Sequence, residues 1–514
     1  MKQLFLFLTL IFSIAASDVL VCREEKFRPQ IHFSVPENWA NDPNGLVYYD
    51  GEYHFHYQYH PGNPNNGPKS WAHAVSTNLV IWTDLPVAIE PDHLGDIWSG
   101  SAVVDHENTT GFQQDPDIAP IVAIFTHSSS SQQQSIAYSL NKARDYVKYE
   151  GNPVLPNNIH RDFRDPKVFR YENKWVMVLA AGDRVMFYSS LDLKSWEYMS
   201  EFGADPPQGS HSGVWECPDM LEIKYNGFTY WVLLVSVSGG AHNGGSFTQY
   251  YVGLFNGREF QSSQIDTKYL EWGEDNYASV SFSNEPRGRQ IIIGWMTNAI
   301  YCEQLPTGIF RGEMTLPRVL TLENVAGHLV LKTNLVEEFA NLRIPSQEHP
   351  LEMRRLEPNG YWNVSEELGF KSQLVEVDLA FNIAGMKGLS ALAICFLNRL
   401  RQEICVGYDH ERPENQEIFV NRELTGDLRS ISDHFVGRQT GGRVFKDGII
   451  TFKIVLDTTA LELYVDGGLT VMTSLFFPDE PMDTLEIRHH APVDGSEVLL
   501  LNGKIQGLRS MYDC

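Results

Sequence analysis

The sequence predicts an all-β protein: a five-bladed β-propeller followed by a C-terminal β-sandwich. Three observations predict it. Runs rich in Val, Ile, Tyr, Phe and Trp are bounded by Gly, Asn and Pro turns, and long helical periodicities are few. Five degenerate units open at Asp42, Trp98, Asp165, Glu216 and Asp275, at intervals of 51 to 67 residues, each long enough for several strands. Beyond residue 350 these units stop and apolar/polar alternation with turn signals takes over.

Taken in order, the chain opens with a basic Met1-Lys2-Gln3, an apolar run over 4–14 and the small residues Ala15-Ala16-Ser17. That pattern predicts a secretory signal peptide over 1–17. The run is shorter than the ~20 residues needed to span a bilayer, so a secreted, soluble protein is expected. Trp39-Ala40-Asn41-Asp42-Pro43-Asn44-Gly45 opens the first unit. Its turn formers predict a kink before a strand. Leu46-Val47-Tyr48-Tyr49, Asp50-Gly51 and the aromatic run 53–59 then predict a hairpin.

A single Asp-Pro is ordinarily a turn or a cap. Here the pattern recurs, in Arg164-Asp165-Pro166 and Glu216-Cys217-Pro218-Asp219, each ahead of an alternating apolar run. Trp98-Ser99-Gly100-Ser101 and Asp275-Asn276-Tyr277-Ala278 open the other two units. Ser76-Thr77-Asn78-Leu79 and Ser190-Leu191-Asp192-Leu193 echo one another at comparable places. In a propeller the first strand of each blade lines the channel, and all first strands begin at one end. Asp42, Asp165 and Glu216 are therefore expected to meet in one pocket.

The propeller is assigned to 27–334, closing after Gly312-Glu313-Met314-Thr315-Leu316-Pro317-Arg318. A helix-like or extended linker over 335–349 and a β-sandwich over 350–514 follow. No catalytic constellation is visible in the sandwich.

A net charge of −25 disfavours nucleic-acid and anionic-membrane partners. Neutral sugars suit a chain with 12% aromatic residues and many carboxylates. Of the six cysteines, Cys395 and Cys405 lie in neighbouring strand-like runs that would allow pairing, Cys22 and Cys514 lie near the two ends, and Cys217 reads as a small buried residue. Connectivity stays open. His54 and His56 alternate on one strand and His489-His490 stand together, without a third ligand at metal spacing. Neither a metal nor another cofactor is expected. Asn108 and Asn363 head glycosylation sequons.

Six motifs, in order, carry a resemblance to glycoside hydrolase family 32, the invertase, inulinase and levanase family. They are Trp39-Ala40-Asn41-Asp42-Pro43-Asn44-Gly45, Tyr57-Gln58-Tyr59, Trp98-Ser99-Gly100-Ser101, Phe163-Arg164-Asp165-Pro166, Glu216-Cys217-Pro218-Asp219 and Gly294-Trp295-Met296. The resemblance spans roughly 27–510 and implies the same propeller and sandwich. It implies Asp42 as nucleophile at the anomeric C2 of fructose, Glu216 as acid/base and Asp165 as the transition-state stabiliser that binds fructose hydroxyls. The expected activity is sucrose hydrolysis by a retaining β-fructofuranosidase. Exo-hydrolysis of inulin or levan, or fructosyl transfer, is served by the same acids, and a catalytically silent sugar-binding propeller is the reading of another class.

Retaining glycosidases hold their two carboxyls about 5–5.5 Å apart, one ionised and one protonated. Glu216, between Trp215 and Cys217-Pro218, sits in an apolar stretch suited to the protonated partner. Asp42, among Asn41, Asn44 and turn amides, suits the ionised one. Arg164 is placed to pair with Asp165 or Glu216. Asn41, Gln58 and Ser99 offer polar contacts to a sugar, Trp39, Trp98, Phe163 and Trp295 offer apolar walls, and Asp275 a further hydroxyl acceptor. Asn66-Gly67 stands where many relatives carry Trp-Gly, which puts one aromatic wall in doubt.

Overall fold

A computed structural model describes residues 23–204, 207–435, 437–445 and 447–512. The expected signal peptide, Cys22 and Cys514 lie outside the described residues. Strands are the dominant regular element of the described residues, as expected, and form seven antiparallel-dominated sheets. The first sheet has five strands and the next four have four each, and every one is led by an inner strand. The inner strands are Asn38–Tyr49, Asp96–Val104, Arg164–Tyr171, Trp215–Tyr225 and Tyr277–Ser281. Each packs beside the next, and the fifth returns to the first, where Ser283 N–H donates to Leu46 O and Tyr48 N–H to Ser283 O. Ring closure is reinforced by Phe310–Arg311, which pairs in parallel with Asn38 and Trp39. The arrangement is consistent with a propeller.

Local chemistry explains the elements. Asp50 (φ 48°) and Gly51 (φ 91°) make the tight hairpin turn that Asp-Gly favours. The echo between the first and third units is one shared turn. Asn78 Oδ1 accepts from Ile81 N–H and Asp192 Oδ1 from Ser195 N–H, while Leu79 and Leu193 follow with positive φ and bury completely. The fifth sheet runs past the expected closing point, since its outer strands are Arg318–Val325 and His328–Leu335.

The stretch read as a linker behaves differently. A 3-10 turn, Glu337–Leu342, is followed at once by the strand Arg343–Leu351 at the edge of a seven-stranded sheet. Its two prolines, Pro345 and Pro350, masked it in the sequence, but an edge strand tolerates residues that cannot donate to a ladder. That sheet faces a six-stranded one, and the pair bury Val377, Phe381, Ile394, Phe452 and Leu463 between them. Cys395 and Cys405, opposite one another on adjacent strands, form a disulfide, while Cys217 and Cys302 are free.

The ring and the two-sheet unit are joined by buried charge. Arg422 reaches Asp275 at 2.7 Å and Glu274 at 2.6 Å, and Arg318 reaches Glu462 at 2.9 Å. Asp457 accepts from the backbone N–H groups of Gln30, Ile31 and His32 and from the His32 ring at 2.8 Å. Burial alone would lower the His32 pKa, but the Asp457 and Glu462 carboxylates outweigh it and push it up to about 9.

Candidate active site

All five inner strands carry a register shift near the same end of the ring. It falls between Ala40 and Pro43, Ile97 and Gly100, Arg164 and Lys167, Glu216 and Asp219, and Tyr277 and Val280. These are β-bulges, which bend a strand and re-aim its side chains. Pro166 and Pro218 sit inside two of them, where a missing N–H costs no ladder bond, and Pro43 flanks a third. Asp165, Cys217 and Ala278 take positive φ values of 63°, 44° and 55°, unusual for residues with a Cβ. The expected kink at Asp42 is therefore a bulge within the strand rather than a turn before it.

The bulges bring the three acids together. Cys217 Sγ lies 3.5 Å from Asp42 Oδ2 and 3.6 Å from Asp165 Oδ2, and Cys217 N–H donates to Asp165 Oδ2 at 2.9 Å. Asp42 also accepts from Ser99 Oγ at 2.6 Å and Asn41 Nδ2 at 3.1 Å. Asn41 in turn accepts from the Trp39 indole at 2.9 Å, and Trp39 packs edge-on against Trp295 with ring centres 5.7 Å apart. Arg164 pairs with Glu216 at 2.9 Å and with Asp162 at 2.6 Å, whereas Asp165 lies 3.9 Å from it. The second carboxyl oxygen of Glu216 accepts from the Tyr277 hydroxyl.

Burial pushes the Asp165 carboxyl up to about 7, with Glu216 and Asp42 adding repulsion and Arg164 opposing it. Its folded value stands above the ordinary 3.8, so the native state holds an extra proton between the two values. Stability then falls as pH rises from about 4 to about 7. Asp165→Asn removes that charge without changing shape, and its Oδ1 can keep the Cys217 N–H bond. The variant should melt roughly 1–3 °C above wild type at pH 8, with the gap closing at pH 4. Thermal scans at both pH values check this; a gap that is equal at both, or absent, contradicts it.

Glu216 corrects one expectation. Its neighbours in sequence do not surround it. Trp215 is fully buried behind the strand against Tyr251 and His211, and Cys217 turns toward the other two acids. The Glu216 side chain is 25% exposed and is bracketed by Arg164 and Tyr277.

Asp275 is a second correction. It is completely buried, and both oxygens are taken by Arg422, Tyr301 and Leu475 N–H where the fifth sheet meets the C-terminal sheets. The fifth inner strand begins at Tyr277, and that residue holds the place facing the acids. Gln58 is buried and donates to Ile97 O, beside Trp98 and Ser99. Phe163 is buried, its N–H held by Gln132 and its carbonyl by Gln134. Asn108 and Asn363 both use Oδ1 as a local acceptor, from Gln113 N–H and Glu366 N–H.

Sequence reasoning missed Tyr277, Thr126, Gln132, Asp162 and Lys69. Thr126 Oγ1 accepts from Asp165 N–H at 3.0 Å, and Gln132 Oε1 from Arg164 at 3.2 Å. The Lys69 ammonium donates to Asn66 and lies 5.3 Å over the Trp39 ring. Burial pushes its pKa down to about 8, with Asp42 and Asp96 opposing. Only Tyr277 had a signal, its place in the fifth repeat. Beneath the acids the channel is closed by Lys167, which pairs with Asp219 at 2.9 Å and bonds Ser281, leaving a void of about 10 Å³. The wider cavity at the far end of the ring, about 430 Å³, holds none of the three acids.

Residues 32–333 match the family model for the glycosyl hydrolases family 32 N-terminal domain, and 349–500 that for the family 32 C terminal. The chain belongs to glycosyl hydrolase family 32. Within family 32 it is 41% identical over 494 residues to the levanase of Bacillus subtilis (strain 168), covering 94% of this chain and 71% of the relative. The exo-inulinase of Aspergillus awamori superposes with a TM-score of 0.85 at 29% identity, covering 95% of this chain and 99% of that one. The β-fructofuranosidase of Schwanniomyces occidentalis complexed with fructosyl-erythritol gives 0.84 at 28% identity, covering 95% and 98%. As a family 32 member the chain is a glycoside hydrolase of the fructan- and sucrose-processing kind. No described helix is long and apolar enough to cross a membrane.

Proposed function

We propose that the protein is a secreted retaining β-fructofuranosidase that removes the terminal fructosyl unit from sucrose and from β-fructans. The observation that carries this is the meeting of Asp42, Asp165 and Glu216 around Cys217 and Arg164. The levanase relative favours including fructans beside sucrose among the substrates. The five sheets are read as five propeller blades over 27–334, with the C-terminal sheets as a sandwich. A leader over 1–17 directs secretion, and Asn108 and Asn363 are candidate glycan carriers.

In this mechanism the Asp42 carboxylate attacks the anomeric C2 while Glu216 gives its proton to the departing glycosidic oxygen. The C2–O bond to the leaving sugar breaks as the Asp42 ester forms. Water, deprotonated by Glu216, then attacks C2 and releases Asp42. Ser99 and Asn41 orient the nucleophile by donating to its two oxygens. Arg164 and Tyr277 clamp Glu216 from both sides. Asp165, able to carry a proton near neutrality, binds fructose hydroxyls without competing for C2.

The test is product analysis on purified protein with sucrose, levan and inulin, against an Asp42→Asn control. Free fructose is expected as the first product from sucrose and levan, equimolar with glucose from sucrose, and lost in the control. Absence of fructose from all three substrates overturns the proposal. Glucose in excess over fructose would replace hydrolysis by fructosyl transfer.

A further inference from the structure

Far from the acids, the outer edge of the six-stranded sheet holds a cavity of about 550 Å³. Its lining includes Arg354, Glu357, Tyr361, Trp362 and Glu366, and no residue of the ring. The strand Gly360–Asn363 forms its floor and pairs on one side only, with Thr484–His490. One wall is rigid. Trp362 donates its indole N–H to Glu367 at 2.8 Å, Arg354 stacks 4.1 Å over the same indole, and the Arg354 fork grips Glu367 at 2.8 and 3.1 Å. The rest is uncommitted. Tyr361 is 72% exposed, and the Glu357 and Glu366 carboxylates make no hydrogen bond or ion pair among the described residues.

This donor and acceptor set selects its ligand. A free aromatic face beside unpaired carboxylates matches a sugar, which stacks C–H bonds on a ring and donates hydroxyls to carboxylates. Glu357, Glu366 and Glu367 outnumber the two lining guanidiniums, Arg354 and Arg355, and Arg355 is already paired with Glu497 at 2.6 Å. The surplus of negative charge repels phosphate, sulfate and acidic polymers and leaves neutral polyols acceptable. We propose that this cavity is a second, non-catalytic carbohydrate site that holds a neutral β-fructan chain. The proposal rests on the fructan reading above. A protein that attacks chain ends gains from such a site, because a tethered polymer presents its ends to the catalytic pocket at a raised local concentration. Asn363 lines the same cavity, so a glycan there would occlude it, and the site is expected only in protein that is unmodified at Asn363.

The experiment uses full-length protein made in a bacterial host. Asp42→Asn protein is run on native gels containing levan or inulin, beside Asp42→Asn/Tyr361→Ala and Asp42→Asn/Glu366→Gln. The expected result is retardation of the first, weakened at least tenfold in apparent affinity by Tyr361→Ala and at least threefold by Glu366→Gln. With Asp42 intact, Tyr361→Ala should keep its kcat/KM on sucrose and lose severalfold on high-mass levan below saturation. Equal retardation of all three proteins would place all binding in the catalytic pocket and overturn the proposal, as would no retardation. Loss of both activities together in Tyr361→Ala would also overturn it, by showing a general structural defect. A wild type that releases no fructose from any substrate sinks the catalytic reading instead, and the gel result then stands on its own.

Discussion

Asp42→Asn is expected to lower kcat/KM on sucrose and levan by about 10⁴-fold or more, with a melting temperature within about 2 °C of wild type. The two halves of that result have separate causes. Asparagine has the shape of aspartate, and the Ser99 hydroxyl can turn to donate to its oxygen or accept from its nitrogen. Trp39, Asn41 and the bulge between Ala40 and Pro43 hold the position whatever the charge. The amide is nevertheless too weak a nucleophile to form the ester at C2, so both turnover steps lose their covalent intermediate. Asp42→Ala leaves space where the carboxylate stood, and added azide should restore part of its activity. Steady-state kinetics and a thermal scan settle both points. Activity within tenfold of wild type would remove Asp42 from the role of nucleophile.

The largest expected effect on stability lies elsewhere, at Arg422. Arg422→Met should cost about 3–5 kcal/mol, the range seen when one partner of a buried ion pair is removed. Its guanidinium is fully enclosed and serves Asp275, Glu274, the Tyr301 hydroxyl and the carbonyls of Phe435 and Leu475. Methionine fills much of the volume but strands two buried carboxylates. Burial already pushes Glu274 up to about 7 against the pull of Arg422. Without the cation both acids must take up protons or hydrate, and either opens the interface. Asp275 lies two residues before Tyr277, which donates to Glu216, so kcat should fall as well. Urea titration should show a lower midpoint at an unchanged slope. A midpoint indistinguishable from wild type would mean that the network adds nothing.

Asp275 also marks the limit of what sequence can tell. Repeat spacing and the Asp-Pro and Cys-Pro patterns place three acids at one end of the ring, where a bulge in each inner strand re-aims the neighbouring side chain. The fifth inner strand has no proline, so its register is two residues uncertain, and an acid at 275 is a more tempting choice than a tyrosine at 277. The same blindness applies to Glu216, because residues adjacent on a strand face opposite ways. Its local sequence describes the wrong surroundings. Arg164 had two acidic candidates, and only three dimensions assign it to Glu216. Lys69, Thr126 and Gln132 carry no motif and act through placement alone. In the C-terminal part alternation made the sheets legible, while Arg343–Leu351 stayed hidden behind its prolines.

The clamp on residues 30–32 bears on how the molecule is made. The segment leading into the nucleophile strand is fastened by Asp457, across a sequence separation of 427 residues, and Met511 N–H closes on Gln30 O. During synthesis the segment that anchors Asp42 thus waits for nearly the whole chain before its final partners exist. Contacts of such high order slow folding, since the loop must close before any of them contributes. The last fastening of the segment ahead of the nucleophile strand is accordingly a late event in the life of the chain, and a ribosome-bound intermediate lacking the last sheets would carry all three acids with residues 30–32 not yet tied down.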